Sequence, residues 1–183
     1  MLACVAYTNV HVWQGDFLKR LDETIDQHPT LPYRFDLPWS SFDLLPDDAD
    51  HFTWDGYVSF VDSLLEHVLV HWARHKRVHV LSDSTIDYWN WDEDWNETRR
   101  ATTHMVDAFA RRDVDVSVDA VSGSGFVAMR PQKKDFHTRF VAWKKNETAG
   151  NATLALVIGG WNDQAKGLRL ASSGASKLLD EVR

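Results

Sequence analysis

Short apolar segments alternate along this chain with segments of helical periodicity, and this alternation restricts the fold more than any other feature. Apolar residues recur at i, i+3, i+4 and i+7 throughout residues 57–72, which predicts a long amphipathic helix. Further helices are predicted around 17–25, 97–111 and 171–182. Short apolar or alternating segments predict strands at 2–7, 77–81, 114–121, 140–143 and 153–158. Strands separated by helices form parallel sheets that are covered on both faces, so we expect an α/β fold: a three-layer α/β/α sandwich with a flavodoxin-like parallel sheet of about five strands.

The size and charge of the chain narrow the classes of function. Its 183 residues suit a single domain, and its formal net charge of -7 disfavours nucleic acid as a partner, because an acidic surface repels phosphate. Cys4 is the single cysteine, so an internal disulfide is excluded and a reducing compartment is compatible. The sequence starts without a basic leader, and no segment approaches the ~18 apolar residues of a membrane span. We therefore expect a cytoplasmic protein that acts on a small molecule; the sequence does not specify its oligomeric state.

Three of the predicted strands end in polar turns that contain serine or glycine, at residues 82–85, 122–125 and 159–163. Ligands of open α/β sheets bind beyond the carboxyl ends of the strands. Because the carboxyl ends of parallel strands share one edge of the sheet, we expect these three turns to converge on one crevice.

Ser84 lies in the first of these turns, directly after the strand, in the segment VLSDSTID. A serine hydroxyl in the crevice can act as a nucleophile if a base lies nearby. The alternative is that Ser84 only caps the helix that follows the strand.

The other two turns hold residues that are suited to binding an oxyanion. Gly123, in SGSG, lets a backbone N–H group approach a ligand closely, and Asn162, in GGWND, can donate from its side-chain amide. Either residue is also compatible with an ordinary turn or a helix cap, so neither identifies an oxyanion hole by itself.

Asp48 and His51 stand three residues apart, just before the long helix. A carboxylate can orient an imidazole and stabilise its protonated form while the imidazole accepts a proton from serine. The alternative is an acidic cluster that interacts with the dipole at the helix N-terminus. Asp47 or Asp50 could take the place of Asp48 in either interpretation.

Together these segments resemble the four motif blocks of the SGNH (GDSL-like) hydrolase superfamily. SDS is similar to the G-D-S block, SGS to the glycine block, GWND to the G-x-N-D block, and DADHFTWDGY to the run D-x-x-H-F-T-x-x-G-Y. The resemblance implies a serine esterase in which Ser84 is the nucleophile, His51 the general base and then acid, and Asp48 the residue that orients His51. It also implies an oxyanion hole made by the backbone N–H groups of Ser84 and Gly123 and the side chain of Asn162, and no cofactor.

The sequence departs from the family pattern in two ways. Ser82 replaces the glycine of G-D-S, and a serine would strain the turn if this position required a positive φ. The Asp–His block also precedes the serine block, whereas it normally comes last. A circular permutation explains this order, because joining Arg183 to Met1 restores a helix followed by a strand, and it predicts termini that lie near each other. A fragment cut across two tandem domains is the other explanation.

Three aromatic residues close in sequence to the predicted catalytic residues are candidates for binding the substrate: Trp161, Tyr88 and Trp89. The expected substrate is a small-molecule ester or an acylated carbohydrate.

Two other classes of function stay open. One is a catalytically inactive binding domain that keeps the same fold. The other is a metal-binding protein, since histidines four residues apart on a helix can share a metal ion. The histidines with this spacing, and the one that follows them, are His67, His71, His75 and His79.

Overall fold

The structure is a computed structural model that describes residues 2–4, 23, 42–46, 48–72, 76–87, 101–127, 134–146, 153–159, 162–163 and 168–181. Its strands are β1 (Leu2–Cys4), β2 (Leu44–Leu45), β3 (Asp48–Phe52), β4 (Arg77–Ser82), β5 (Asp115–Ala120) and β6 (Thr153–Ile158). Its helices are α1 (Trp54–Trp72), α2 (Ser84–Asp87), α3 (Ala101–Ala110), α4 (Phe136–Asn146) and α5 (Leu168–Asp180). The helix predicted around 17–25 falls outside these residues apart from Glu23, which is helical.

The main sheet is parallel throughout and has the strand order β1-β6-β4-β5. Strands β2 and β3 form a separate antiparallel pair. The predicted α/β class and parallel sheet are therefore confirmed. Within the residues that the structure describes this sheet has four strands, where the sequence predicted about five.

Helices lie on both faces of the main sheet. On one face, α1 and α3 pack against alternate residues of the strands, and the core there includes Val78, Val80, Leu154 and Leu156 from the sheet with Phe60, Leu64, Met105 and Phe109 from the helices. On the other face, His79 of β4 stacks on Trp143 of α4 with ring centroids 4.2 Å apart. Successive side chains of a strand point to opposite faces, so the alternation of Val78, His79 and Val80 explains why both faces are covered.

The prediction of a strand at 140–143 is wrong, because these residues lie within α4. Asp135 caps this helix by accepting a hydrogen bond from the backbone N–H of Thr138 at 2.7 Å. The buried residues of α4 recur with helical spacing: Phe136, Arg139 and Phe140. Four apolar residues in a row fit a strand and a helix equally well, and the cap decides between them.

The start of α1 explains the residues that follow His51. The backbone N–H of Thr53 donates to the carbonyl oxygen of Asp43 at 2.9 Å, and the Thr53 hydroxyl accepts from the N–H of Gly56 at 3.0 Å, as an N-cap does. A Cβ atom on Gly56 would lie 2.0 Å from the Asp43 carbonyl oxygen, so this position accommodates only glycine. These contacts fix α1 against the β2–β3 pair, and β3 carries Asp48 and His51.

Helix α1 is the longest helix in the described part of the chain, and it is held to α3 as well as to the sheet. The hydroxyl of the fully buried Tyr57 donates to the carbonyl oxygen of Ala101 at 2.6 Å. Burial raises the pKa of Tyr57 well above its ordinary value, so this hydroxyl keeps its proton. No helix among the described residues is both long and apolar enough to cross a membrane.

Candidate active site

The carboxyl ends of β4, β5 and β6 meet at one edge of the sheet, which we call the carboxyl edge. Ser82 of β4 is in register with Ala120 of β5 and with Ile158 of β6. The Ser82 side chain is fully buried and donates to the Ile158 carbonyl oxygen at 2.8 Å. Its backbone has no positive φ, so the serine that replaces glycine does not strain the turn and adds a hydrogen bond between two strands.

Ser84 is the first residue of the short helix α2, and Asp83 is the cap of that helix. The Asp83 carboxylate accepts from the backbone N–H of Thr85 at 2.9 Å and from the Thr85 hydroxyl at 2.8 Å. The alternative interpretation of Ser84 as the helix cap is therefore wrong. Its side chain is half-buried, and the helix itself offers no acceptor to the backbone N–H of its first residue. The hydroxyl and the backbone N–H group of Ser84 can therefore both bind a ligand.

Gly123 occupies a tight turn, residues 121–124, that we call the glycine turn. The backbone N–H of Ser124 donates to the carbonyl oxygen of Val121 at 3.1 Å, and Gly123 has a φ of 77°. A type II turn requires this left-handed conformation at its third residue, which glycine adopts without strain. The glycine turn is tied to α2, because the N–H of Ser122 donates to the Asp87 carboxylate at 2.6 Å.

Asn162 links the glycine turn to the segment that carries Ser84. Its side-chain nitrogen donates to the carbonyl oxygen of Ser124 at 2.8 Å and to the Asp83 carboxylate at 3.4 Å. The first distance is a good hydrogen bond and the second is at the long limit. The predicted convergence of the three turns is thus observed as hydrogen bonds between neighbours of Ser84 and Gly123 and the side chain of Asn162.

Asp163, which directly follows Asn162, is a buried carboxylate that the sequence did not single out. It is 2% exposed, and its carboxylate accepts from the backbone N–H groups of Phe126 at 2.9 Å and Val127 at 2.8 Å. Burial raises the pKa of Asp163 to about 7, with a smaller contribution from the negative charges of Asp83 and Asp135, although the two backbone N–H groups favour the ionised form. A carboxylate directly after Asn162 at the end of a buried strand was the available sequence signal.

Arg139 was also missed, and no local sequence signal identifies it. It lies on α4, within a segment whose apolar residues dominate the pattern. Its buried guanidinium donates to the Ser82 carbonyl oxygen at 3.0 Å and to the Ser124 hydroxyl at 2.7 Å, and pairs with the Asp119 carboxylate at 2.7 Å. The positively charged side chain of Arg139 is thus buried next to the carboxyl edge.

His51 lies in β3, and Cα atoms of β3 come within 8 Å of those of α2, the helix that Ser84 begins. His51 is half-buried. The pairing of β3 with β2 is irregular, since the register shifts between Leu44 and Leu45. The side chain of Asp48 lies outside the described residues, so its orientation toward His51 stays a prediction.

Several other predicted features lie outside the described residues. These are the aromatic candidates for substrate binding and the two termini of the chain: Trp161, Tyr88, Trp89, Met1 and Arg183. Substrate contacts by these aromatic side chains, and the closeness of the termini, stay predictions.

The structure tests the histidine alternative only at His67 and His79, because the side chains of His71 and His75 lie outside the described residues. His79 faces α4 and its Nδ1 lies 2.8 Å from the hydroxyl of Ser117 on the neighbouring strand β5, whereas His67 belongs to α1 on the opposite face of the sheet. Among the residues that the structure describes, no three His, Cys, Asp or Glu side chains lie together so that they could hold a metal ion. His67 and His79 therefore cannot share one metal ion in this fold.

No family model, curated protein or solved structure matches this chain. A function is therefore inferred from the residues at the carboxyl edge and from the motif resemblance.

Proposed function

We propose that this protein is a serine hydrolase that cleaves carboxylic esters, with a site of the SGNH type. The observation that carries the proposal is the position of Asn162, whose amide bonds to the residue after Gly123 and to the residue before Ser84. The residues next to Ser84 and Gly123 are thereby linked through the side chain of Asn162. The proximity of β3 to α2 adds support, because His51 is in the first element and Ser84 in the second.

In the proposed reaction, the Ser84 hydroxyl attacks the ester carbonyl carbon while His51 accepts the hydroxyl proton. The electron pair of the C=O bond moves to oxygen, and the N–H groups of Ser84 and Gly123 and the amide of Asn162 stabilise that charge. Collapse of this intermediate expels the alcohol, which takes the proton from His51. Water then attacks the acyl-serine carbonyl carbon while His51 accepts a water proton; collapse of this second intermediate releases the carboxylic acid, and Ser84 takes the proton back from His51. Asp48 orients the imidazole throughout.

The two hydrogen bonds of the Asn162 amide differ in length, which supports a role in which the longer one is replaced when substrate binds. One amide proton is held firmly by Ser124 and orients the side chain. The other makes only the 3.4 Å contact with Asp83, so a substrate oxygen can replace this weak acceptor with little loss. In this proposal Ser124 positions the amide and the substrate takes the second proton.

We further propose that the chain is a circularly permuted member of this fold type. The order of the main sheet supports this, since β5-β4-β6-β1 becomes 2-1-3-4 when the strands are numbered from the serine strand and Arg183 is joined to Met1. These are the first four positions of the flavodoxin-like order. A plain fragment of two tandem domains would not require β1 to pair with β6 in a single sheet.

An inactive binding domain is the second candidate, and one observation favours it. Both protons of the Asn162 amide already have acceptors within the protein, as in a site that is never required to bind an oxyanion. The two candidates differ in the turnover of esters.

A panel of p-nitrophenyl esters and acetylated sugars, assayed with the parent protein and with Ser84→Ala, distinguishes these candidates. We expect the parent to hydrolyse at least one ester class, and Ser84→Ala to lose several orders of magnitude in kcat while remaining folded. Ser59→Ala, on the exposed face of α1, is the matched control and should retain full activity. Equal rates for the parent and Ser84→Ala would exclude Ser84 as the nucleophile.

A further inference from the structure

Arg139 is a buried cation whose hydrogen bonds go mainly to the backbone and side chains at the ends of two strands. Its side chain is 6% exposed, whereas that of its ion-pair partner Asp119 is 37% exposed. Arginine is almost never buried to this extent unless it is fully paired. The groups that accept hydrogen bonds from the Arg139 guanidinium therefore indicate which parts of the structure it holds together.

All three nitrogen atoms of the Arg139 guanidinium donate hydrogen bonds. Nε and Nη2 donate to the two oxygens of the Asp119 carboxylate at 3.1 and 2.7 Å, and Nη2 also donates to the Asp119 carbonyl oxygen. Nη1 donates to the Ser82 carbonyl oxygen at 3.0 Å and to the Ser124 hydroxyl at 2.7 Å. One planar group thus joins the end of β4, the end of β5 and the glycine turn.

These acceptors lie next to the proposed oxyanion donors. Ser82 is two residues before Ser84, and Ser124 directly follows Gly123. The Ser82 carbonyl oxygen also accepts from the N–H of Val121 at 3.0 Å, at the start of the glycine turn. The distance between the two backbone donors therefore depends on a set of hydrogen bonds with Arg139 at its centre.

Stability alone is a weak reason to keep such a group. Replacing a buried ion pair by apolar residues of similar volume is often neutral or stabilising, because removing two charges from water offsets most of their attraction. A rigid fork with five donors has a property that an apolar side chain lacks, since it fixes several acceptors at set directions.

We propose that Arg139 is a positioning residue that holds the turn after β4 and the glycine turn at the separation an oxyanion requires. Its catalytic consequence rests on the proposed esterase function, whereas its effect on the two turns does not. Arg139 touches neither the reacting atoms nor the substrate, and it acts through Ser82 and Ser124.

The test compares Arg139→Gln and Arg139→Lys with Arg112→Gln. Arg112 forms an exposed ion pair with Glu66 at 3.1 Å, so its replacement removes a cation without touching the site. Backbone hydrogen exchange is measured first, at the amides of Val121 and Ser124 and at that of Leu64 in α1. In both Arg139 variants we expect exchange at Val121 and Ser124 to accelerate about tenfold or more, with Leu64 within about threefold of the parent.

Kinetics with an ester that the parent hydrolyses provide the second measurement. In Arg139→Gln, kcat should fall about 10- to 100-fold with KM within about threefold, because a displaced donor weakens transition-state binding. Arg139→Lys keeps the charge but loses the fork, so its kcat should lie between those of the parent and Arg139→Gln. If Arg139→Gln does not fold, Arg139→Lys alone decides the proposal through the same exchange comparison.

Two results would overturn the proposal. One is exchange at Val121 and Ser124 that matches Arg112→Gln or that accelerates equally with Leu64. The other is a kcat in both Arg139 variants within about threefold of that of an active parent. If the parent hydrolyses no ester, the esterase proposal fails by itself, and the exchange data still decide the role of Arg139.

Discussion

The side-chain amide of Asn162 donates to the carbonyl oxygen of Ser124 at 2.8 Å, which fixes Asn162, four residues after the end of β6, against the turn after β5. These residues are far apart in sequence and adjacent at the carboxyl edge. The bond leaves the second amide proton with only a long contact to Asp83, at 3.4 Å. This arrangement makes Asn162 the most informative residue for separating transition-state binding from ground-state binding.

Replacing Asn162 with alanine should lower kcat about 100- to 1,000-fold, the usual effect of removing one oxyanion donor, with little change in KM. The reason is that the amide is proposed to bind charge that develops only in the transition state. Steady-state kinetics on a p-nitrophenyl ester measure both parameters. An increase in KM alone would instead assign Asn162 to ground-state binding.

Asp163 should lower the stability of the protein as pH rises from its ordinary pKa of 3.8 to about 7. In this window the folded protein keeps the proton on Asp163 and the unfolded chain has lost it, so the free energy of unfolding falls with increasing pH. The effect is at most about 4 kcal/mol, since each pH unit corresponds to about 1.4 kcal/mol. Asp163→Asn should remove this dependence in urea unfolding series, and an unchanged pH profile would contradict the raised pKa.

His79 should have the opposite effect on the pH dependence of stability, since it should lower the stability of the protein as pH falls. Burial lowers the pKa of His79 from 6.5 to about 4, and its Nε2 has no hydrogen-bond partner in the described structure. Between these pH values the unfolded chain binds a proton that the folded protein does not, so the free energy of unfolding falls as pH decreases, by at most about 3 kcal/mol. His79→Phe keeps the stacking on Trp143 and should abolish this loss.

The comparison of these two variants is itself a control. The two dependences partly cancel in the parent between pH 4 and 6.5. His79→Phe should therefore leave the declining profile of Asp163, and Asp163→Asn should leave the rising profile of His79. Identical profiles for both variants would contradict the assignment.

Gly125 should not tolerate alanine. An added Cβ atom would lie 2.7 Å from both carboxylate oxygens of Asp163, which are fixed by the N–H groups of Phe126 and Val127. We expect Gly125→Ala to lower the free energy of unfolding by about 1–3 kcal/mol, as overpacking of a tight site does. Urea unfolding measures this, with Ser59→Ala as the surface control. A change below about 0.5 kcal/mol would mean that the Asp163 contacts are loose.

The elements that the sequence predicted well are those specified by local pattern. The long helix was predicted at 57–72 and is observed at Trp54–Trp72, and the strand at 153–158 has the predicted ends. Residues 140–143 were not predicted correctly because their four apolar residues carry no period, and the cap at Asp135 lies several residues earlier.

The residues of the candidate site also differ in whether a general rule or only the tertiary structure explains their positions. The meeting of Asn162 with the glycine turn follows from a general rule of parallel sheets, which places all carboxyl ends at one edge. The roles of Arg139 and Asp163 depend instead on which acceptors and donors the tertiary structure brings to a buried side chain. No spacing in the sequence predicts the contacts of Arg139, which is 57 residues from Ser82. Asp163 directly follows Asn162, which was a signal for its location, but its contact with Phe126, 37 residues away, follows only from the tertiary structure.

The central claim is that Ser84 is an activated nucleophile. Incubation with a fluorophosphonate, followed by intact-mass and peptide mass spectrometry, tests this most directly, because the reagent forms a stable bond with a serine that is activated by a base. We predict one adduct per chain, located on Ser84, retained in Ser59→Ala and lost in Ser84→Ala and His51→Ala. The absence of an adduct on the folded parent, or an adduct at another residue, would contradict the account.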